Sequence, residues 1–343
     1  MRGAPLSGRL RAAFVDVAVV VAGLALLVAA CGHSPREAFS SLLGGAFGSI
    51  GSIVISLLKT GPLLWTGLGV TLAFRAGVWN IGAEGQFYAG ALGAAATALA
   101  LPPGPFAALT ALAAGALAGA LWGFLPAALK VRWGVSEVLG TIMLNFVALE
   151  LVSWAVHGPL QESSRFYPQS ERIAESSQLA PLLEGGRLHW GIPLALLAAA
   201  ALHVFLTYTS AGFRLRAAGF NPRAARLAGI APETSWLLAL CVGGGLAGAG
   251  GASELLGVTH RLYERFSAGY GYTAIAVALL GGLEPAAVVL AALFFGALEA
   301  GSGTMQRVAG IPSVLVTLLQ GAILVLLVAR RSSSDVAAAR RAL

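Results

Sequence analysis

Apolar runs recur along nearly the whole chain, and they constrain its fold more than any other feature. Five are long and clear: Phe14–Cys31, Phe106–Leu125, Val138–Val156, Ile192–Tyr208 and Ser313–Ala329. Five more are shorter or rich in glycine: Leu63–Ala76, Ile81–Leu101, Trp236–Gly250, Tyr272–Leu283 and Ala286–Gly301. Because roughly 20 apolar residues in a helix cross the hydrocarbon core of a bilayer, these runs predict an all-α polytopic membrane protein with about ten transmembrane helices.

The composition agrees with a membrane location and disfavours other classes. Only 11% of the 343 residues are charged, whereas soluble domains carry roughly 25%. The net charge is +7, but the basic residues are scattered between apolar runs, so nucleic acid is not an expected partner. The two cysteines, Cys31 and Cys241, predict neither a disulfide framework nor a metal site.

Basic residues also predict the orientation. The segments 2–11, 130–132, 214–226 and 330–341 hold 13 of the 22 Lys and Arg residues. With ten spans, all four segments fall on one side, which the positive-inside rule makes cytoplasmic. Both termini are then cytoplasmic, and residues 158–190 form an extracytoplasmic loop. That loop contains four glutamates: Glu162, Glu171, Glu175 and Glu184.

The N-terminus allows a second interpretation. Three arginines, an apolar stretch and the sequence Val28-Ala29-Ala30-Cys31 resemble a bacterial lipoprotein signal with its lipobox. Asp16 inside the stretch and the many later spans favour a first helix that ends in Cys31. Whether this segment is processed is left open by the sequence.

A polar stretch, RAGVWNIGAEGQF from Arg75 to Phe87, interrupts two apolar runs. A break in a membrane helix frees backbone groups, which must be buried in protein or line a wet cavity. Transporters commonly build their sites at discontinuous helices near mid-membrane. The candidate residues for the translocation path here are Asn80, Glu84, Gln86 and, within a later span, Asn145. In the alternative reading, Arg75 and Glu84 pair and only hold the break together, and Asn145 only bonds between helices.

A second polar, glycine-rich stretch, GVTHRLYERFSAGYGYTAIAVALLGGLEP, lies at a corresponding position in the other half. Corresponding interruptions in two halves point to a binding site. Tyr270, Tyr272 and Thr273 are the ligand-facing candidates, and an interfacial aromatic belt is the alternative. Between the two, the run CVGGGLAGAGG predicts close helix packing, with Gly244 and Gly248 spaced like Gly115 and Gly119.

A short helix is predicted in the basic loop between Tyr208 and Trp236. Asn221 suits an N-cap and Pro222 the first turn, while Gly229 and Pro232 suit its end. A two-turn helix, Pro222 to Ala228, is too short to be stable alone. It either lies on the membrane surface or docks on an ATPase subunit, with Arg223 and Arg226 on one face. No Walker A motif occurs in the chain, so ATP hydrolysis would belong to a partner.

Four stretches together resemble the permease subunits of bacterial ABC importers of the branched-chain amino acid and ribose permease family. They are GLGVTLAFRAGVWNIGAEGQF, GVSEVLGTIMLNFVAL, GFNPRAARLAGI and LLGGLEP. They stand in family order between about Thr60 and Ala329. The resemblance is closest to the branch for simple sugars and nucleosides, of which FRAG-x-x-NIGAEGQ is typical.

The resemblance implies ten spans, a second permease in a homo- or heterodimer, ABC ATPase subunits and an extracytoplasmic substrate-binding protein in the bacterial cytoplasmic membrane. It implies no cofactor or metal on this chain, since ATP is used by the partner. The coupling residues carried over are Asn221, Pro222, Arg223, Ala224, Ala225, Arg226 and Gly229. Arg223 stands where other ABC importers have Glu, and no Ile-x-Leu-Pro follows.

The apolar runs and the resemblance together predict one transmembrane permease domain over residues 1–343, although the first fifty residues and the loop Gln161–Arg187 do not contribute to the resemblance. Its parts are a first span (14–31), a first helical half (60–157), the extracytoplasmic loop (158–190), a cytoplasmic coupling loop (209–235) and a second helical half (236–329). The chain is then not an enzyme, and nucleosides, simple sugars and branched-chain amino acids are its candidate cargoes, in that order. An ion-coupled secondary carrier is the alternative class. An intramembrane enzyme is disfavoured because neither H-E-x-x-H nor G-x-S-x-G occurs.

Overall fold

The computed structural model describes residues 22–23, 25–26, 28–102, 104–183, 185–323 and 325. Helices dominate these residues, and only isolated β-bridges occur among them. The helices are α1 (Pro35–Phe47), α2 (Ile50–Arg75), α3 (Ala83–Ala100), α4 (Ala107–Trp133), α5 (Glu137–His157), α6 (Gly191–Tyr208), α7 (Ser210–Phe220), α8 (Pro222–Leu227), α9 (Pro232–Glu254), α10 (Tyr270–Leu280), α11 (Pro285–Ala309) and α12 (Val314–Ile323). The all-α prediction is confirmed.

Six of these helices are long and apolar enough to cross a membrane: α2, α4, α5, α6, α9 with the π-helical turn that follows it, and α11. The helices α10 and α12 are apolar but shorter. The predicted run Phe14–Cys31 lies largely outside the described residues, as does the end of Ser313–Ala329. The chain is therefore an all-α protein with six candidate membrane spans among its described residues.

One predicted span has to be corrected. The run Leu63–Ala76 was expected to be barely long enough, but α2 begins at Ile50 and has 26 residues. The sequence hid this because Lys59, Thr60 and Pro62 interrupt the apolar run. Pro62 nevertheless lies inside the helix, where its neighbours must make up for the missing N–H.

The core of the unit Leu57–Gly296 is a close crossing of α4 and α9. A Cβ added to Gly119 would lie 2.7 Å from Gly248 Cα, and one added to Gly248 would lie 2.8 Å from Gly119 Cα. Any side chain at either position would push the two backbones apart. The predicted packing of the pairs Gly115/Gly119 and Gly244/Gly248 is thus confirmed.

The other unit comprises the residues up to Ser56 and those from Ala297 onward. Within it, α1 packs on the second half of α11, where a Cβ on Gly301 would lie 3.0 Å from the Leu42 side chain. Ser34 caps α1 by accepting a hydrogen bond from Glu37 N–H at 3.4 Å. Cys31, which ends the lipobox-like stretch, is exposed in a turn.

The long loop, residues 158–190, packs against the segment that follows α9. Ser170 N–H donates to Leu262 O at 2.7 Å, Ile173 N–H to His260 O at 2.9 Å and Leu179 N–H to Leu256 O at 2.9 Å. An ion pair of 2.6 Å joins Glu162 to Arg261. The loop thereby braces the π-helical turn Leu255–Thr259 and the chain that leads to α10.

Candidate functional site

The first polar break, residues 76–82, lies between α2 and α3 and is closed by its own side chains. Asn80 accepts a hydrogen bond from Gly82 N–H at 3.1 Å and donates from Nδ2 to Gln86 Oε1 at 2.9 Å. Both amide side chains are buried. Gln86 lies in the first turn of α3, so these bonds fix the angle at which the chain enters that helix.

Helix α5 supplies the remaining partners of the first break. Asn145 accepts from Gly85 N–H at 2.8 Å and donates from Nδ2 to Ile81 O at 2.9 Å. Thr141, one turn earlier, accepts from Ile81 N–H at 3.3 Å. Asn145 therefore satisfies backbone groups that the interrupted helix leaves open, which a membrane interior requires.

The second break, residues 260–269, ends where α10 begins, and a side chain from the first turn of α3, just after the first break, holds this helix start. Gly271 N–H donates to Glu84 Oε2 at 2.6 Å, and the Ser267 hydroxyl and the backbone of Tyr272 also bond to this carboxylate. Tyr88, one turn further along α3, accepts from Ser267 N–H at 3.1 Å. A carboxylate at a helix N-terminus is stabilised by the open N–H groups and by the helix dipole.

Arg75 does not pair with Glu84, contrary to the alternative reading of the sequence. Its Nε donates to Leu283 O at 2.8 Å, and its guanidinium forms an ion pair with Glu284. Both partners lie in the turn between α10 and α11, where Leu283 has a positive φ of 61°. Arg75 thus joins the motif FRAG to the motif LLGGLEP.

The predicted path residues fall into two groups. Asn80, Glu84, Gln86, Asn145 and Tyr270 are buried, and each is hydrogen-bonded within the chain.

Tyr272 is 44% exposed, and its hydroxyl lies 3.3 Å from Asn145 Nδ2, while Thr273 is half-buried. The structure gathers the candidates from α3, α5 and α10 around the two breaks, and their contact with cargo stays a prediction.

Sequence reasoning missed several residues of this site. Thr141, Ser267 and Tyr88 were not singled out, although Tyr88 stands four residues after Glu84 and so shares its helix face. Lys59 was missed as well; its Nζ lies 2.9 Å from Tyr270 Oη and 5.5 Å from the ring centroid. An intramembrane lysine beside a polar break is a signal that the sequence offered.

The predicted short helix is present as α8. Asn221 caps it by accepting from the N–H groups of Arg223 and Ala224, both at 3.1 Å. The helix ends one residue before the predicted position, with Ala228 as its C-cap and Gly229 at a φ of 77°. Ala225 is buried, whereas Ala224, Arg223 and Arg226 are exposed. Arg226 forms an ion pair with Glu233 at the start of α9.

Two exposed apolar side chains flank α8. Phe220, just before it, is 91% exposed, and Leu227, its last residue, is 92% exposed. A cavity of about 510 Å³ adjoins Phe220 and is lined by Phe74, Arg75, Phe213, Arg216, Ala217, Gly219 and Phe220. Apolar side chains exposed beside a basic helix are typical of a docking surface for another protein.

The described residues combine candidate membrane spans, buried polar residues that hold helix ends and an exposed short basic helix, which together are typical of a transport subunit. The chain belongs to the family described as the branched-chain amino acid transport system, permease component, whose model matches residues 37–328. It is therefore a multi-pass membrane permease, and ATP hydrolysis in such systems is performed by a partner subunit.

Three relatives match nearly the full chain. A glucose ABC transporter permease protein of Haloferax volcanii is 36% identical over 92% of this chain and 85% of its own. A guanosine ABC transporter permease protein of Bacillus subtilis is 36% identical over 94% of both chains. A nucleoside ABC transporter permease protein of Lactococcus lactis is 31% identical over 93% of this chain and 91% of its own. Each of the three organisms also has a second matching permease, at 29%, 27% and 27% identity respectively.

Proposed function

We propose that this chain is the permease subunit of an ATP-driven importer for nucleosides. Simple sugars are the second candidate cargo and branched-chain amino acids the third. The observation that carries this order is the set of names of the relatives, which are guanosine, nucleoside and glucose permeases. The similarity extends over the segments that form the two breaks and α8, so it covers the parts of the molecule that a permease needs.

We propose further that its second permease is a different chain, so that the importer is built on a heterodimer. This is supported by the two matching permeases in each of the three organisms, of which one is always the more similar to this chain. The translocation path would then run between two unlike faces.

For the membrane topology we propose ten spans with cytoplasmic termini. The described spans, the two shorter helices, α3 and the residues before Pro35 supply enough apolar segments. Helix α10 has 11 residues and so covers only about 16 Å, roughly half of the hydrocarbon thickness. A helix of that length that begins at a buried carboxylate supports a discontinuous helix near mid-membrane.

The buried residues of the two breaks shape the path in this proposal, and Tyr272 is the one most open to cargo. Four of the candidates already form hydrogen bonds with other groups of this chain: Asn80, Glu84, Gln86 and Asn145. Tyr272 presents a partly exposed ring while its hydroxyl stays close to Asn145. Thr273 follows Tyr272 on α10. The hydroxyl of Tyr270, two residues before Tyr272, accepts a hydrogen bond from Lys59.

The coupling surface in this proposal is α8 together with Phe220 and Leu227. A helix of six residues is not stable without a support. Here Ala225 is buried and Pro222 half-buried, while the other four residues are exposed. The two apolar side chains would anchor in an ATPase subunit, and Arg223 would meet an acidic partner at the rim. ATP binds to that partner, and this chain binds no cofactor or metal of its own.

On the opposite side, the long loop would meet an extracytoplasmic substrate-binding protein. It is held on the second break by backbone hydrogen bonds and by the Glu162–Arg261 ion pair. A binding protein that presses on the loop would therefore act on the start of α10 through the chain between His260 and Gly269.

The test is a mild-detergent pull-down of the tagged chain from its native membrane, with partners identified by mass spectrometry. We expect an ATPase subunit and a second, different permease, and ATP-dependent guanosine uptake by the reconstituted complex with its binding protein. A chain that is isolated alone and transports without ATP would refute the proposal and favour an ion-coupled carrier.

A charge reversal tests the coupling surface. We expect Arg223→Glu with Arg226→Glu to abolish uptake and ATPase binding while the chain still folds. Arg132→Glu is the control, because it reverses an exposed charge at the end of α4, on a helix other than α8. Normal uptake in the double variant would remove α8 from the proposal.

A further inference from the structure

A carboxylate lies on the exposed face of α5, opposite its buried residues. The buried residues of this helix, from Thr141 and Asn145 to Val156, occupy one side. At 100° per residue, Glu150 lies on the opposite side, in line with Phe146, Ser153 and His157. Glu150 is exposed, and the described residues provide it with neither a hydrogen-bond nor an ion-pair partner.

The depth of Glu150 makes this position informative. Helix α5 has 21 residues, which span about 30 Å, and Glu150 lies about 10 Å from the His157 end. This places it within the hydrocarbon thickness of a bilayer. An ionised side chain there is costly in lipid, and such residues face a water-filled cavity or another protein.

The neighbours of Glu150 have the chemistry of a carbohydrate site. Phe146, one turn before it, is 57% exposed, and Trp154, one turn after it, is 65% exposed. Exposed aromatic faces can stack against a sugar ring or a nucleobase. A carboxylate between them can accept charge-assisted hydrogen bonds from the hydroxyl groups of the same ligand.

The polar character of this face continues to the end of the helix. Ser153 donates to Glu264 at 3.3 Å, and His157 is exposed one turn further on. Glu264 belongs to the second break, next to the long loop that follows α5. Leu139 and Met143 are also exposed on this side of the helix, so the polar groups occupy only its part from Glu150 onward. Ser153 and His157 place polar groups one and two turns from Glu150, and water can reach the carboxylate along them.

We propose that the face of α5 formed by Phe146, Glu150 and Trp154 lines the aqueous translocation path and binds cargo, with Glu150 accepting hydrogen bonds from sugar hydroxyl groups. The inference deepens the proposed function and rests on it for the cargo class, because ribose and glucose both present neighbouring hydroxyls. It adds a residue on α5 that is separate from the buried groups of the two breaks.

Cysteine labelling tests the water access. In a Cys31→Ser, Cys241→Ser background, Glu150→Cys and Trp154→Cys are treated with a membrane-impermeant thiosulfonate in vesicles that hold the whole complex. The control is Leu197→Cys on α6, because the Leu197 side chain is apolar and is 65% exposed, as is that of Trp154. We expect the α5 cysteines to react and Leu197→Cys to stay unlabelled. An unlabelled Glu150→Cys would overturn the proposal, because that face would then lie in lipid or be sealed by the second permease.

Protection and uptake test the cargo contact. Guanosine or glucose should slow labelling of Trp154→Cys, which keeps the Glu150 carboxylate. Glu150→Gln should raise the KM for the protecting cargo about tenfold to a hundredfold, which is the value of a hydrogen bond to a charged group, and Glu150→Asp should recover part of it. An unchanged KM, or labelling that neither compound slows, contradicts the proposal.

A wild-type complex that moves neither compound would refute the proposed function instead, since thiol accessibility is read without transport.

Discussion

The two breaks in the helical pattern are built on different principles. The first, residues 76–82, is closed by nearby residues of α3 and by Asn145 and Thr141 of α5. The second, residues 260–269, has its helix start held by Glu84, which lies 187 positions earlier in the chain. The first break is complete within the first helical half, whereas the second depends on the first.

This difference teaches that the dependence runs in one direction. If α3 moves, α10 loses the carboxylate at its N-terminus and the hydroxyl of Tyr88 at Ser267. If α10 moves, the Asn80–Gln86 bond and the contacts of Asn145 with Ile81 and Gly85 are still made. The second break can therefore open while the first stays closed, whereas a movement of α3 disturbs both.

The largest expected effect is that of Glu84→Ala, which removes the acceptor of a charge-assisted hydrogen bond and leaves the N–H groups of α10 open. We expect a loss of about 3 kcal/mol in unfolding free energy and of most uptake. Glu84→Gln keeps a hydrogen-bond acceptor, so its unfolding free energy and its uptake should lie between those of the wild type and those of Glu84→Ala. Thermal unfolding of the purified complex measures the loss, and a wild-type midpoint for Glu84→Ala would break the comparison.

Asn145→Ala should have the next largest effect, about 2 kcal/mol, because Gly85 N–H and Ile81 O lose their partner together. Only the first break loses a backbone partner. Tyr272→Phe is the matched control, since it removes the other group near Asn145 Nδ2 without touching the backbone. Equal destabilisation by the two variants would show that the side-chain pair, and not the break, is what Asn145 supports.

Tyr88→Phe should cost about 1 kcal/mol, because Ser267 N–H loses one neutral acceptor while Glu84 still holds Gly271. Hydrogen exchange at residues 267–271 should quicken in this variant, and exchange at residues 80–86 should not. Faster exchange in both breaks would mean that the dependence is mutual.

Acidification should have the smallest and most local effect. Burial lowers the pKa of His189 to about 4, with a contribution from the charge of His260. Hydrogen bonds from Ser164 and Gln169, together with Arg261, hold the pKa of the Glu162 carboxyl below its usual value.

Both groups bind protons more readily in the unfolded loop. Protonation of His189 in the unfolded loop therefore lowers stability as the pH drops from about 6.5 toward 4. The stabilisation by the Glu162 carboxylate is lost only as the pH falls below about 4.5. Once the observed rates are corrected for the intrinsic pH dependence of amide exchange, protection at residues 170–179 should fall as the pH drops from about 6.5 toward 4, and His189→Gln should flatten the His189 part of the change. An equal loss of protection at residues 80–86 would contradict the view that the long loop stabilises only the second break.

Local patterns in the sequence predicted the breaks, the glycine crossing and the capped α8, because helix caps, glycine spacing and polar interruptions depend on neighbouring residues. The partners of Arg75 and Glu84 could not be predicted, since a charge gives no sign of which distant backbone it will meet. The start of α2 was also missed, because Lys59 and Pro62 make a continuous helix look interrupted. The sequence does not reveal the face on which Glu150 lies, and that face became clear only once the buried side of α5 was known.

The bond between Glu84 and Gly271 has a consequence for synthesis at the ribosome. The two residues are 187 positions apart, so at 5–20 residues per second Glu84 is made roughly 10–40 s before its partner. During that interval the growing chain holds an unmatched carboxylate in or beside the bilayer, where it needs water or other protein around it. We therefore expect that the first helical half does not leave the insertion machinery for the lipid as soon as it is complete. The machinery is expected to retain it until α10 has been made.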